Sequence, residues 1–579
     1  KIIDNNDIEK NTYLFFLVWR NFYTKSLILQ HLKFYNIHYF QRTFNLDSFC
    51  AYPFKKYLGS MKLIFSNSHE KLVTFLNHLP PTVKSIELGS NNANEPLEVG
   101  CFPKSITNLK LNYWFNQQLE KGVINSTIQS LTLGKSFNNS LIDSFPSRGL
   151  TYLDLGFEFD QPIFANVLPK TLKTLIFSDR FNQKLYIGSI PKSVENLTFG
   201  GCFNRDLEKD LLPEGLVNLT FGYSFNKPIS VLSSYSDCYS TEENTPNNNI
   251  DIMIDNITLD SNCNGNEEYG NNNCFKIISF LPYKLKSIKF GSNFDRDIDF
   301  GVLPSTLTSL EFSVVGNFNK PITFGTIPNS VTNLSFPSQF NQPIKVNNKN
   351  CLPPNLTKLS FGRYFQQDIE KGSIPSSVTD LCLGGIDSNQ VIQEGCIPDS
   401  VLKLKVGENQ IFKSNSLPDS VYSLQGLNAM YIREIPPQVN SFTFLDLNDP
   451  IEYLKDLPRN VVSVDVGGLF DTREFERAII PSHITSLTFG SLFNQRILPS
   501  YLHNVTNLKS IKFGIFFNQI ILPCSLPDSI TYLEFDQRFN QILSSSTLPK
   551  YLKTLILGNE FNSVLKSNSL PINLVSLRL

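Results

Sequence analysis

Six histidines, ten cysteines and 52 acidic residues are the raw material for catalysis or metal binding in this 579-residue chain. Their spacing supports neither. A zinc protease needs two His one helical turn apart with a Glu between them, and no His-Glu-x-x-His occurs. A nucleophile elbow needs its Ser framed by tight-turn glycines, and no Gly-x-Ser-x-Gly occurs. Gly134-Lys135-Ser136 matches the end of a phosphate-binding loop, but Gln129 stands where that loop needs its first glycine. His31 and His38 share one N-terminal segment and read as structural. Carboxylate pairs such as Asp154 with Glu158 recur at no fixed place, and Cys238, Cys263 and Cys274 are too far apart, without a nearby His, to suggest zinc. The expectation is no enzyme, no cofactor and no metal.

Charge and cysteine usage set the context. With 51 basic against 52 acidic residues the net charge is -1, so no global field favours nucleic acid or an anionic membrane. The ten cysteines include no Cys-x-x-Cys pair, which reads as reduced thiols in the cytoplasm, or shared between nucleus and cytoplasm. The longest apolar run, residues 13–19, falls well short of the ~20 residues of a membrane span and lacks a signal-peptide cleavage site. Asn-x-Ser/Thr triplets such as Asn196-Leu197-Thr198 are products of repetition rather than glycosylation signals.

The elements that would have to position any site are repeated. An apolar-x-apolar triplet starts at Leu63, Ile86, Leu109, Leu131, Leu153, Leu175, Leu197 and Leu219. It resumes at Ile288, Leu310, Leu334, Leu359, Leu381 and Leu404, loosens at Leu424, Phe442 and Val464, and returns at Leu487, Ile511, Leu533, Leu555 and Leu577. Those 22 units, most of them 22 residues apart, are the signature of a solenoid. In the unit spanning 188–207, Leu197 and Phe199 alternate with polar neighbours as a short half-buried strand should. Gly200 is expected to permit a turn, Phe203 to return to the interior, Pro191 to begin an extended return path, and Val194 to re-enter the core. The predicted architecture is one long parallel sheet of short strands, about 22 coils of about 22 residues, with little room for helix on the return path.

A Phe-Asn pair follows many of the triplets at a fixed offset, among them Phe115-Asn116, Phe137-Asn138, Phe181-Asn182, Phe203-Asn204, Phe225-Asn226, Phe539-Asn540 and Phe561-Asn562. Phe should stack on Phe from coil to coil. For Asn, a ladder bonding the backbone of adjacent coils is favoured over an exposed turn residue, because Asp160, Asp295 and Gln366 can supply the same acceptor. The phrase Leu-Pro-x-Ser-Leu-Thr-x-Leu-x-Phe-Gly-x-x-Phe-Asn-Gln-Pro-Ile, nearly whole at 303–322 and 526–542, resembles the FNIP (IGxFN) repeat over roughly residues 61–579. That resemblance implies a leucine-rich-repeat-like solenoid and a protein-interaction scaffold. The Asn comes seven residues after the first strand Leu, as from Leu197 to Asn204, rather than five, so the turn is not expected to copy ordinary leucine-rich repeats.

Irregularities divide the chain into an N-terminal segment 1–60, repeats 61–230, an insertion 231–276, repeats 277–383, degenerate repeats 384–480, and repeats 481–579. The insertion is Asn-, Ser- and acid-rich and reads as a disordered loop. In 384–480 Phe-Asn disappears and coils shorten to 20 and 18 residues, consistent with a bend, with drift, or with a recognition ridge around Met430, Tyr431 and Arg433. Residues 14–40 have helical spacing and read as an α-helical cap. A calmodulin target anchored by Trp19 with Ile28 or Leu32, and a ubiquitin-ligase adaptor segment, are the functional alternatives. The last triplet starts at Leu577, inside a terminal Ser-Leu-Arg-Leu that offers no cap for the sheet edge.

A surface then remains as the functional element. The middle residues of the triplets, among them Lys110, Asp154, Lys289, Glu311, Lys405, Asp465, Lys512 and Glu534, should line the exposed face of the sheet. They mix both charges with small hydroxyls and contain no basic stripe interleaved with aromatics and no aromatic hot spot. An unidentified protein, not nucleic acid, is the expected partner.

Overall fold

The computed structural model describes residues 26–28, 30–32, 34, 39, 42–64, 76, 79–89, 94, 96–234, 275–384, 390–407, 410–427, 431–432, 435–444, 454–467, 479–502, 504–565 and 569–578. A strand lies at every one of the expected triplets, and one more, Arg42–Phe44, precedes them. Together they form a single 23-stranded sheet, parallel throughout, in which each strand pairs with the strand of the next coil. A buried apolar residue, most often Leu, faces its like at nearly every step, as at Leu153↔Leu175 and Leu175↔Leu197, with flanking residues half-exposed there. A slip of one residue would turn this apolar column outward, so the register is tightly specified.

The first expected unit is displaced. Met61, not Leu63, pairs with Ile86, and Leu63 pairs with Leu88. Strand Ser60–Ile64 is longer than most and buries both Met61 and Leu63, so the triplet frame can be read two residues late without changing face.

Between strands, the chain is held by repeated side-chain ladders. Phe115, Phe137, Phe159, Phe181, Phe203, Phe225 and Phe294 stack at 6.2 Å between ring centroids, with planes within 13°. Phe539 and Phe561 continue the same stack at the other end, again at 6.2 Å. The offset-parallel geometry suits rings whose faces repel when directly superposed. A second column, from the third triplet position, runs beside the first: Phe177, Phe199, Phe221 and Phe290 stack at 5.1–5.7 Å. The two columns touch within each coil, as at Phe221 and Phe225, 3.9 Å apart.

The Asn ladder is present as expected. Asn204 N donates to Asn182 Oδ1 at 3.0 Å, Asn226 N to Asn204 Oδ1 at 3.0 Å, and Asn540 N to Asn518 Oδ1 at 3.0 Å. Asp160 and Asp295 serve as acceptors in the same way, for Asn182 and Asn319. The residue after Asn closes the remaining gap: Gln342 Nε2 and Gln541 Nε2 donate to the carbonyls of Asn319 and Asn518, and Arg205 Nε does so to Asn182. A further ladder has its signal in Pro-x-Ser/Thr-Val. The Pro carbonyl accepts from the apolar residue three on, as Pro191 does from Val194 at 3.1 Å. The intervening hydroxyl bonds the coil before, Ser193 Oγ to Leu172 O and Ser529 Oγ to Leu508 O, both at 2.7 Å.

Gly200 opens the expected turn, its carbonyl accepting from Phe203 N at 3.4 Å, but not through left-handed backbone freedom. Its φ lies outside the left-handed region, and a Cβ there would sit 1.9 Å from the Ser178 carbonyl oxygen. Gly222 and Gly291 meet the carbonyls of Gly200 and Gly222 in the same way, at 1.9 and 1.7 Å. These glycines permit close approach of one backbone to the next.

The insertion begins and ends as a hairpin stem, Ser230–Ser234 antiparallel to Phe275–Ser279, so its ordered part reaches into the segment expected to be a loop; 235–274 lie outside the described residues. Across 384–480 the main sheet continues unbroken through Lys403–Lys405, Ser423–Gln425, Ser441–Thr443 and Ser463–Asp465. Where Phe-Asn is lost, a small parallel pair, Val391–Ile392 with Ile411–Phe412, and the buried amides of Gln390 and Gln410 join successive coils instead.

At the N-terminus, helix is found at 26–28, 30–32 and 34 and at Leu46–Ala51, the latter capped by Asn45 through Ser48. This is a small helical element. Phe34 stacks on Phe54 at 5.0 Å, and His31 Nδ1 meets the Tyr57 hydroxyl. At the other end Leu577 is 38% exposed, unlike the triplet leucines it follows.

Truncating Phe203 to Ala removes a ring in contact with Phe181, Phe199 and Phe225, and a loss of about 3–5 kcal/mol in chemical denaturation is expected. Asn204→Ala should cost roughly 1–3 kcal/mol, because the Asn226 N–H loses its acceptor, whereas Asn204→Asp should retain most of the stability. Equal losses for the two Asn204 variants would contradict the ladder.

Candidate protein-interaction face

Most triplets bury their first residue and turn the middle one outward, so Lys110, Asp154, Lys289, Glu311, Lys405, Asp465, Lys512 and Glu534 project from one face of the sheet. Many are already engaged with each other or with their own coil. Lys110 lies 3.5 Å from Glu87, which also binds Lys62 at 2.7 Å. Glu311 accepts from Ser309 Oγ and Asn333 Nδ2, at 3.2 and 2.9 Å. Glu534 is bound by Lys512 at 2.9 Å and by the Tyr532 hydroxyl. Burial pushes the Glu534 carboxyl up, but the bonds from Tyr532 and Lys512 together outweigh it and hold the group below the usual carboxylate range. Lys289 and Lys405 form no ion pair among the described residues.

Asp154 and Asp465 act locally. Each accepts, through Oδ1, the N–H of the glycine two residues on, Gly156 at 2.9 Å and Gly467 at 3.0 Å. Both glycines have positive φ, +80° and +86°, so the carboxylate stabilises a turn that only glycine adopts freely. Burial pushes both carboxyls up, against the glycine hydrogen bond and the nearby Lys110 or Lys512.

The recognition ridge expected around 430 is only partly within the described residues. Tyr431 is half-buried and meets Phe412 edge-on at 5.9 Å, so it packs inward as a core residue; Met430 and Arg433 lie outside the described residues. Of the calmodulin anchors, Ile28 is half-buried, Leu32 is exposed, and Trp19 lies outside the described residues.

An aromatic cluster, which the triplets alone do not reveal, stands on the turns that follow the strands. Tyr113, Trp114 and Phe157 are exposed, and Lys135 and Arg180 lie over the rings of Tyr113 and Phe157 at 5.1 and 5.8 Å. Between this rim and the sheet runs a groove of about 480 Å³, whose floor carries Glu87, Lys110, Thr132 and Asp154. Its signal in the sequence lies at the two variable positions between Gly and Phe-Asn. They read as padding because they vary from coil to coil.

The model of the FNIP repeat matches the chain twelve times, at 74–114, 94–136, 115–158, 137–180, 159–202, 203–233, 276–314, 318–348, 348–385, 389–425, 505–538 and 539–579. The chain belongs to the FNIP repeat family. Among solved structures, the FNIP-repeat chain is similar to CroV588, described as a novel circular LRR protein, at 30% identity and a TM-score of 0.56, over 93% of this chain and 75% of that one. No curated protein matches. Among the described residues no helix is long and apolar enough to cross a membrane.

The raised carboxyl of Asp154 has a definite sign. The folded state binds that proton more tightly than the unfolded chain, so ionisation costs stability at neutral pH. The cost is relieved as pH falls through the raised folded value and is gone below the unfolded one. Asp154→Asn keeps an acceptor for Gly156 and should be at least as stable as the native chain at pH 7. The difference between the two should shrink on acidification, read from denaturation midpoints across that window.

Proposed function

We propose that this FNIP-repeat solenoid is a non-catalytic scaffold that holds a protein partner on its exposed sheet face and the aromatic rim beside it. The observation that carries the reading is the joining of Tyr113, Trp114 and Phe157 with Lys135 and Arg180 along one edge of a continuous parallel sheet. Aromatic and arginine side chains dominate the energetics of protein interfaces, because they bury large area with little conformational entropy to lose. A rigid solenoid suits such display, since each coil is fixed by its neighbours and rim side chains are held at set spacing. The reading also draws on the general use of repeat solenoids as interaction platforms. Seven cysteines are free thiols among the described residues, which supports a reducing, cytoplasmic setting.

The calmodulin and ubiquitin-ligase readings rest on the N-terminal segment, where Phe34 already packs on Phe54 and Tyr57 and Ile28 is half-buried. Affinity capture from cells with the native chain and with Trp114→Ala plus Phe157→Ala decides between surfaces. The double variant is expected to lose its principal partner, with thermal stability unchanged because both side chains are exposed. Retention of every partner by the double variant would move recognition off this rim.

A further inference from the structure

The scaffold reading leaves the chemistry of the partner open, and the groove beside the rim narrows it. We propose that the groove lined by Lys62, Glu87, Lys110, Lys135, Tyr113 and Phe157 binds an extended acidic peptide segment; this rests on the scaffold reading above and names its ligand.

The charges in the groove do not balance. Among the described residues, three ammonium groups, from Lys62, Lys110 and Lys135, face two carboxyls, from Glu87 and Asp154. Glu87 is shared between Lys62 at 2.7 Å and Lys110 at 3.5 Å, so one carboxylate answers two cations. Asp154 Oδ1 accepts the Gly156 N–H, and the carboxyl also faces Lys110. Lys135 lies over the Tyr113 ring at 5.1 Å and forms no ion pair among the described residues. An incoming carboxylate between Lys135 and Lys110 would complete the set.

The walls select the rest of the ligand. Tyr113 and Phe157, 46% and 38% exposed, stand two coils apart with Lys135 on the coil between them. Parallel strands are ~4.8 Å apart, so the two rings lie about two strand widths apart across Lys135, and their exposed faces suit contact with an aliphatic or aromatic side chain. The floor crosses five strands, from Lys62 to Asp154. At ~4.8 Å per strand that is about 19 Å, the reach of roughly six extended residues. A nucleic acid backbone fits less well. The row beyond the groove, Ile176, Thr198 and Thr220, carries no charge to track a strand.

The test is fluorescence anisotropy with the full chain and three labelled probes: a hexapeptide alternating glutamate with leucine, the same peptide with glutamine for glutamate, and a short oligothymidylate. Saturable binding of the glutamate peptide is expected, weakened about tenfold or more in the glutamine peptide and by Lys135→Glu, and reduced by salt. Lys192→Glu, an exposed charge reversal away from the groove, should leave it unchanged. Failure of the glutamate peptide to bind, equal binding of the two peptides, indifference to Lys135→Glu, or preferred binding of the oligonucleotide would each overturn the proposal. A peptide failure with a partner still captured through Trp114 and Phe157 would leave the scaffold standing and remove only the acidic ligand. Loss of capture together with intact peptide binding would do the reverse.

Discussion

Everything in this molecule follows from the hydrogen-bonded contact between one coil's backbone and the next. Strands pair in parallel over only three residues in most coils, and so short a ladder cannot hold a coil alone. The remaining backbone groups must find partners elsewhere in the adjacent coil or stay buried and unpaired, at a cost of about 1–3 kcal/mol each. The Asn, Gln and Ser/Thr ladders are the answer, since each supplies an acceptor or donor where backbone meets no backbone. The glycines that would clash if they carried a Cβ mark where the coils come closest. Stability of this kind is distributed: each coil is only as secure as its two interfaces, and a fault at one is felt first by its neighbours.

This explains how differently parts of the chain tolerate change. Core positions repeat because each must match the copy below, while the residues between Gly and Phe-Asn face outward and are free to differ. That freedom is where Tyr113, Trp114, Lys135, Phe157 and Arg180 arise. Even the core admits substitution if the interface is re-formed as a unit. The buried pair Gln390 and Gln410 replaces a lost Phe-Asn step, and the Gln410 side chain also accepts from Gly407 N. Strand register passes through that region unaltered.

The sheet, its register and the Phe and Asn ladders are legible in the sequence because repetition averages out local ambiguity. The same triplet seen 22 times is far less ambiguous than a triplet seen once. Where averaging fails, legibility fails with it. Strand Arg42–Phe44 runs straight into Phe44-Asn45 and lacks a Phe-Asn pair at the usual offset beyond it, and the frame of strand Ser60–Ile64 is doubly occupied by Met61 and Leu63. Gly200 fits a turn or a close contact equally well, because single-sequence reasoning sees the missing Cβ but not which atom would have met it. For the interaction face, the triplet pattern puts the central residues on the correct side, yet it hides their mutual pairing. Whether Lys110 faces solvent or Glu87 depends on side-chain reach across coils 23 residues apart in sequence. The aromatic rim is hidden for the opposite reason, since what makes it distinctive is that it does not repeat.

The hairpin stem at Ser230–Ser234 and Phe275–Ser279 shows how such a protein can lengthen. Its two arms return Ser279 opposite Ser230, and the solenoid resumes as though nothing intervened: Asp295 N donates to Asn226 Oδ1 at 3.1 Å across 69 positions, where 22 is usual. The same corner two coils after that resumption holds a minimal version, Lys345–Val346 with Lys349–Asn350, closed by Asn347 and Asn348 at positive φ. Contour length and coil number are therefore separate variables in this architecture. A segment of arbitrary content can be spliced in at that corner while the helical pitch of the array, and every surface spaced by it, stays the same.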